Sequence, residues 1–145
     1  GSVMPNHCAN RIEIQGEAKD VKRVKKFLEN KDTDTCFDFN NILPMPKELE
    51  GTSSPTEEPN SFKNRRLRKV YGTDNWYDWR ILHWGTKWNS YDGKIDNEDE
   101  EYIVYTFDTA WSPPEPVIQA LREKFEEVNI TAFFDEPGME IAGYY

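Results

Sequence analysis

Histidine, cysteine and long apolar runs are scarce in this chain of 145 residues, and each shortage closes off a class of function. No apolar stretch approaches the roughly 20 residues that a membrane-spanning helix needs, and no secretory leader precedes Asn6. A soluble, cytoplasmic protein with no membrane attachment is therefore expected. Cys8 and Cys36 are too few for a disulfide scaffold. They fall on separate expected strands with another strand between them, roughly 10 Å apart and beyond the reach of a disulfide. Free thiols follow.

The two histidines, His7 and His83, give no metal site. His7 and Cys8 are neighbours on a strand, point to opposite faces and cannot share one ion. A thiol nucleophile drawn from Cys8 or Cys36 with His83 and an acid has no local signature; Cys36 reads as an ordinary core thiol. Gly72 and Gly85 stand alone and Lys69 precedes no glycine-rich turn, so no phosphate cradle exists. The acidic residues Asp92, Asp96, Glu98, Asp99, Glu100 and Glu101 do not make a calcium loop. Counted from Asp92 or Asp96, the sixth position is not glycine and the twelfth is Ile103 or Phe107. Neither a cofactor nor an enzymatic reaction is expected.

Positive charge is in deficit as well: 18 Lys and Arg against 27 Asp and Glu leave a net charge of -9. Such a surface repels nucleic acid at long range and suits a basic protein partner, or simply solubility. Stacking of RNA bases on sheet aromatics such as Tyr105 and Phe107 was the one nucleic-acid option, but the basic-glycine-aromatic strand motif is missing.

What the chain does contain is a folded domain's share of apolar residues, 37% with 14% aromatic. Gly1-Ser2 ahead of Val3-Met4 has the form of a cleaved tag, which sets residues 1–3 aside and leaves 4–145 as one domain. Cys8 to Gln15 alternates, with Ile12, Ile14 and the amide of Asn10 facing inward. A buried amide must be paired, and tying down a neighbouring loop is its plain role. Glu17 to Asn30 is an amphipathic helix with Ala18, Val21, Val24, Phe27 and Leu28 on one stripe. Its lysines and arginine are either a docking patch or a solvated face.

A short strand is expected over Cys36–Phe39. Prolines then break the chain, and 51–61 reads as a surface loop. The basic residues Lys63, Arg65, Arg66, Arg68 and Lys69 ride a short helix; the acidic run from Asp92 forms a loop that attracts them or a partner's basic groove. Trp76 and Trp79 stack on a short helix that Gly85 ends. Tyr102–Asp108 is a strand. Ser112, Pro113 and Glu115 make a capping box for a helix buried through Val117, Ile118, Leu121 and Phe125. Ile130, Ala132 and Phe134 alternate as a strand, Glu136-Pro137-Gly138-Met139 matches a type II turn, and Met139, Ile141 and Gly143 return as a hairpin strand.

Strand, helix, strand, long insertion, strand, helix, strand spells a split βαβ pattern: an α+β, ferredoxin-like sandwich with an antiparallel sheet. A tryptophan-rich lobe is inserted at about 40–100, and an extra hairpin strand closes the chain.

Two segments gather three of the five tryptophans: His83-Trp84-Gly85-Thr86-Lys87-Trp88-Asn89 and Thr109-Ala110-Trp111-Ser112-Pro113-Pro114. Trp84, Thr86, Lys87, Trp88, Asn89 and Trp111 are the candidate site residues. Three readings stay open. They form a satellite core that locks the lobe onto the sheet, with Lys87 reaching outward. They line a cleft of indole walls and one cation for a flat or anionic, nucleotide-like ligand. Or they form a protein-binding hot spot.

Four pieces of sequence resemble the YubB ferredoxin-like domain family of small plasmid, phage and integrative-element proteins. They are Met4-Pro5-Asn6-His7-Cys8-Ala9-Asn10 with Gly16, Ile42-Leu43-Pro44-Met45-Pro46, Trp84-Gly85-Thr86-Lys87-Trp88, and Thr109-Ala110-Trp111-Ser112-Pro113-Pro114. The resemblance implies a ferredoxin-like core and a mobile-element origin, and transfers no catalytic residue. The expectation is a non-enzymatic accessory protein that binds a host or element protein, in one version inhibiting a host defence nuclease. A small-ligand binder built on the tryptophan and lysine cleft is the alternative. No oligomeric state is implied.

Overall fold

Alternating burial along Cys8–Gln15 seeds the central strand of the molecule, and the rest of the sheet is laid down on either side of it. The computed structural model describes residues 6–145; the expected tag remnant at 1–3 and the motif residues Met4-Pro5 lie outside the described residues. The elements are β1 (His7–Gln15), α1 (Ala18–Leu28), α2 (Phe39–Ile42), a 3-10 turn (Lys47–Leu49), α3 (Phe62–Tyr71), α4 (Trp76–Trp84), β2 (Tyr91–Glu98), β3 (Tyr102–Ala110), α5 (Glu115–Lys124), β4 (Asn129–Glu136) and β5 (Ile141–Tyr144). The strands form one antiparallel sheet in the order β2-β3-β1-β4-β5. The first four positions of that order are the ferredoxin-like arrangement, and β5 extends its edge. The expected α+β architecture is what the chain adopts.

Cys8, Asn10, Ile12 and Ile14 of β1 lie opposite Thr109, Phe107, Tyr105 and Ile103 of β3 in register, and all eight are buried on the helix-bearing face. Val21, Val24 and Leu28 of α1 and Val117, Ile118 and Leu121 of α5 pack onto that face with Phe125. Ala18 is exposed and Phe27 is half-buried against Phe125, with ring centroids 5.2 Å apart, so the α1 stripe is narrower than its sequence pattern. Tyr105 and Phe107 belong to this covered face, which withdraws them from any base-stacking role.

Several boundaries differ from expectation for identifiable reasons. Cys36–Phe39 is not a strand. Asp38 caps α2 by accepting from the Asn40 N–H at 2.9 Å, a local alternative to a strand ladder. The second strand is instead Tyr91–Glu98, inside the segment expected to be an acidic loop, so the insertion runs over 29–90 rather than about 40–100. This edge strand carries two register shifts and Asp92 at φ +51; bulges and charge are what edge strands use in place of apolar alternation. The acidic residues do not meet the basic helix. Asp96 pairs with Arg11 and Glu98 with Lys25, whereas Arg66 and Arg68 of α3 pair with Glu48 and Asp74.

The fifth helix starts at Glu115, not Pro113: Pro114, at φ -83 and ψ 63, stands at the N-cap, and Pro116 falls in the first turn, where its missing N–H costs no hydrogen bond. Ser112 does not cap it. The expected Glu136–Met139 turn closes, with the Met139 N–H donating to the Glu136 carbonyl at 3.2 Å, but it is not type II: Gly138 stays outside the left-handed region, and Glu140 takes φ +55.

The amide of Asn10 is paired as expected. Its Nδ2 donates to the Cys8 carbonyl at 3.1 Å and to Thr109 Oγ1 at 2.9 Å, while its Oδ1 accepts from the Tyr145 hydroxyl at 2.8 Å. Tyr145→Phe deletes that last donor and leaves a buried acceptor unpaired. Urea unfolding of this variant is expected to show a loss of about 1–2 kcal/mol.

Both cysteines are free. Burial pushes the Cys8 thiol up from its ordinary 9.0 to about 11 and raises Cys36, Tyr105 and Tyr145 above their usual ranges. The unfolded chain gives up the Cys8 proton first, so its contribution is complete below pH 9.0 and is lost as pH rises through about 11, with the buried tyrosines following at higher pH. Urea midpoints followed across that window are expected to fall steadily, and Cys8→Ala should make the decline shallower.

Candidate functional site

The sequence pieces that looked scattered converge on one knot of hydrogen bonds. Thr109 Oγ1 accepts from Asn10 and donates to the Ser112 carbonyl at 2.7 Å. Ser112 Oγ donates to the Gly85 carbonyl at 2.6 Å, and Thr86 Oγ1 donates to the Ala110 carbonyl at 2.8 Å. Trp84 Nε1 donates to the Leu43 carbonyl at 2.9 Å, and the Trp111 N–H to the Asn6 carbonyl at 2.8 Å. Gly85 is dictated by this crossing. It sits at φ +78, and a Cβ there would lie 2.9 Å from Pro116 Cδ.

This knot sorts the six candidate residues. Trp84 and Thr86 are fully buried and present nothing to a ligand. Trp84 packs edge-on against Phe39 and Trp79, with centroids 5.6 and 5.7 Å away, and the Arg80 guanidinium lies 4.9 Å from its ring centre. Asn89 is a structural tie: its Oδ1 accepts from the N–H groups of Phe39 and Ser90, and its Nδ2 donates to Asp38. Lys87 Nζ rests 4.6 Å from the ring centre of its own neighbour Trp88. Trp111 is on a different wall altogether. A single cleft framed by Trp84, Lys87, Trp88 and Trp111 is not assembled; most of the cluster bolts the lobe onto the sheet.

Trp111 instead rims a groove of about 470 Å3 between the start of α5 and the β4–β5 hairpin. Pro113, Pro116, Phe134, Met139 and Ile141 supply its apolar walls, and Glu115 and Glu136 its only charged side chains. Trp111, Met139 and Ile141 are 47%, 58% and 50% exposed, which leaves the rim unpartnered. The Trp111 backbone is held at φ +70. A bulky residue in the left-handed region is an outlier, and such strain concentrates where a side chain must be aimed. Glu136 follows Ala132 and Phe134 on the helix-bearing face of β4 and is only 2% exposed. Among the described residues neither of its carboxylate oxygens has a hydrogen-bond partner.

Sequence reasoning found Trp111 and missed the rest of the groove. A signal was present for Glu136, the one carboxylate on the inward parity of an alternating strand. Met139 and Ile141 had been placed on the hairpin, but nothing in their spacing shows that they face open space.

The model of the ferredoxin-like domain in Api92-like proteins matches residues 80–145, which hold the groove and four of the five strands. Among solved structures, a protein api92 from Yersinia pseudotuberculosis is similar with a TM-score of 0.55 at 10% identity, over 97% of this chain and 93% of that one. At that identity the likeness shows the fold. No curated protein matches the chain.

Trp111→Gly and Trp111→Ala remove the same indole, so the difference between them reports the backbone alone. Glycine is expected to leave the protein about 1 kcal/mol more stable than alanine in thermal or urea unfolding, the reverse of their usual order.

Proposed function

We propose that this chain is a non-enzymatic binding module whose groove between Trp111 and the β4–β5 hairpin docks a basic segment of another protein. The observation that carries the reading is the open apolar rim of Trp111, Met139 and Ile141 above a buried, unpaired Glu136. An aromatic anchor at the centre of an exposed apolar patch is the usual makeup of a binding hot spot. Charge decides the sign of the partner. The groove has carboxylates and no cation, and the whole chain carries -9, so basic partners are drawn in and phosphate-bearing ones repelled.

The likeness of the sequence pieces to the YubB ferredoxin-like family supports the finer placement: an accessory protein of a plasmid, phage or integrative element, working in the cytoplasm on a host or element protein. Inhibition of a host defence nuclease, an enzyme class with a basic substrate surface, is one concrete form. No described helix is long and apolar enough to cross a membrane. The nucleotide-binding alternative, built on Trp84, Lys87, Trp88 and Trp111, is less supported, because Trp84 is fully buried and only Trp88 and Trp111 offer exposed indoles.

Affinity capture from a lysate of the source organism tests the reading when wild type is compared with variants. The expected outcome is a protein retained by wild type and by the distant surface variant Phe62→Ala, and lost by Trp111→Ala combined with Met139→Glu. Folded bait that recovers nothing, or equal recovery by the groove variant, would count against a docking role.

A further inference from the structure

Glu136 poses a problem that the fold alone does not solve. A carboxylate taken out of water needs a cation or a set of donors, and an unpaired one is strongly disfavoured. Here both oxygens are shielded from solvent and lack any donor among the described residues. The residues around the groove include no lysine, arginine or histidine, and the other charge, Glu115, has the same sign. No described residue lining the groove supplies a cation, so one delivered by a partner would find Glu136 free, and the group that brings it would also cover Trp111, Met139 and Ile141.

We propose that the groove is a receptor for a lysine side chain of the partner, whose ammonium meets Glu136 once that carboxylate turns out into the groove, with the tetramethylene stem against Trp111, Met139 and Ile141. This rests on the docking role proposed above and names its specificity. Lysine fits better than arginine on two counts. Its ammonium is a compact point charge on a flexible apolar stem, suited to a carboxylate that lies beneath an apolar rim. A guanidinium spreads five donors in a rigid fork and needs more acceptors than the mostly apolar walls supply. The indole of Trp111 adds attraction for a cation that passes across its face.

The experiment titrates a blocked peptide, acetyl-Ala-Ala-Lys-Ala-Ala-amide, into the whole chain while amide and indole N–H signals are followed by NMR. Saturable shifts at the Trp111 indole and at Met139 and Ile141 are expected. The same peptide with an acetylated lysine should bind at least about 30-fold more weakly, as should the unmodified peptide with the Glu136→Gln variant. The acetylated peptide needs no variant, so a folding defect in Glu136→Gln cannot blur the answer. Equal binding of the acetylated peptide, or tighter binding of the arginine counterpart, overturns the lysine assignment. If the lysine peptide fails while the groove variant still loses its captured partner, this inference falls and the docking role stands.

Discussion

One chain of buried and half-buried hydrogen bonds holds the two halves of the molecule in place. It runs from the Tyr145 hydroxyl to Asn10, from Asn10 to Thr109, from Thr109 to Ser112 and from Ser112 to Gly85. Each link joins different elements: the last residue of the chain, the central strand, the end of β3, the approach to α5 and the end of α4. Apolar packing is tolerant of small shifts, but donors and acceptors out of reach of water must meet one partner at one distance. The network therefore sets the spacing between sheet, lobe and hairpin, and the groove is the gap that this spacing leaves.

The lobe explains where the aromatic content goes. Phe37, Phe39, Trp79 and Trp84 form an aromatic layer over Tyr105 and Phe107 of the sheet, with Phe37 only 4.7 Å from the Phe107 ring centre. Arg80 is drawn into this layer between Trp76 and Trp84, and burial lowers its affinity for a proton. A sheet whose helix-bearing face must be covered by two short helices gains a third layer of cover from the insertion. The tryptophans of the lobe are thus mostly structural, and the exposed Trp111 that rims the groove sits outside it, just past the end of β3.

Legibility followed burial. The central strand, β3, α5 and β4 were readable because each separates a buried face from an exposed one, and the inward amide of Asn10 was readable because a polar residue broke that pattern. The edge strand β2 was not: Ile95 is its single aliphatic side chain, and bulges take the place of alternation. The start of α5 was misplaced through competition, since Ser112 has the right chemistry for a cap but spends its hydroxyl on Gly85. The six candidate residues differ in exposure: Trp84 and Thr86 are buried, and Trp88 and Trp111 are open. Whether a tryptophan at or just past the end of an element turns in, like Trp84, or out, like Trp111, depends on contacts 20 or more residues away that no local pattern encodes.

The groove is where the agreement between local preference and global fold breaks down. Elsewhere such departures are scattered: Asp34, Glu58 and Asp92 also take positive φ, and Phe62, Leu82 and Tyr144 are open, but none of these lines the groove. Around the groove a tryptophan occupies a left-handed backbone, a carboxylate is buried without a donor, and three large apolar side chains are open. Any one of these is an ordinary imperfection. Here three meet on one concave surface. A cation on an apolar stem would neutralise Glu136, cover the rim and give the strained Trp111 its use, and sequences keep such local conflicts chiefly where binding resolves them.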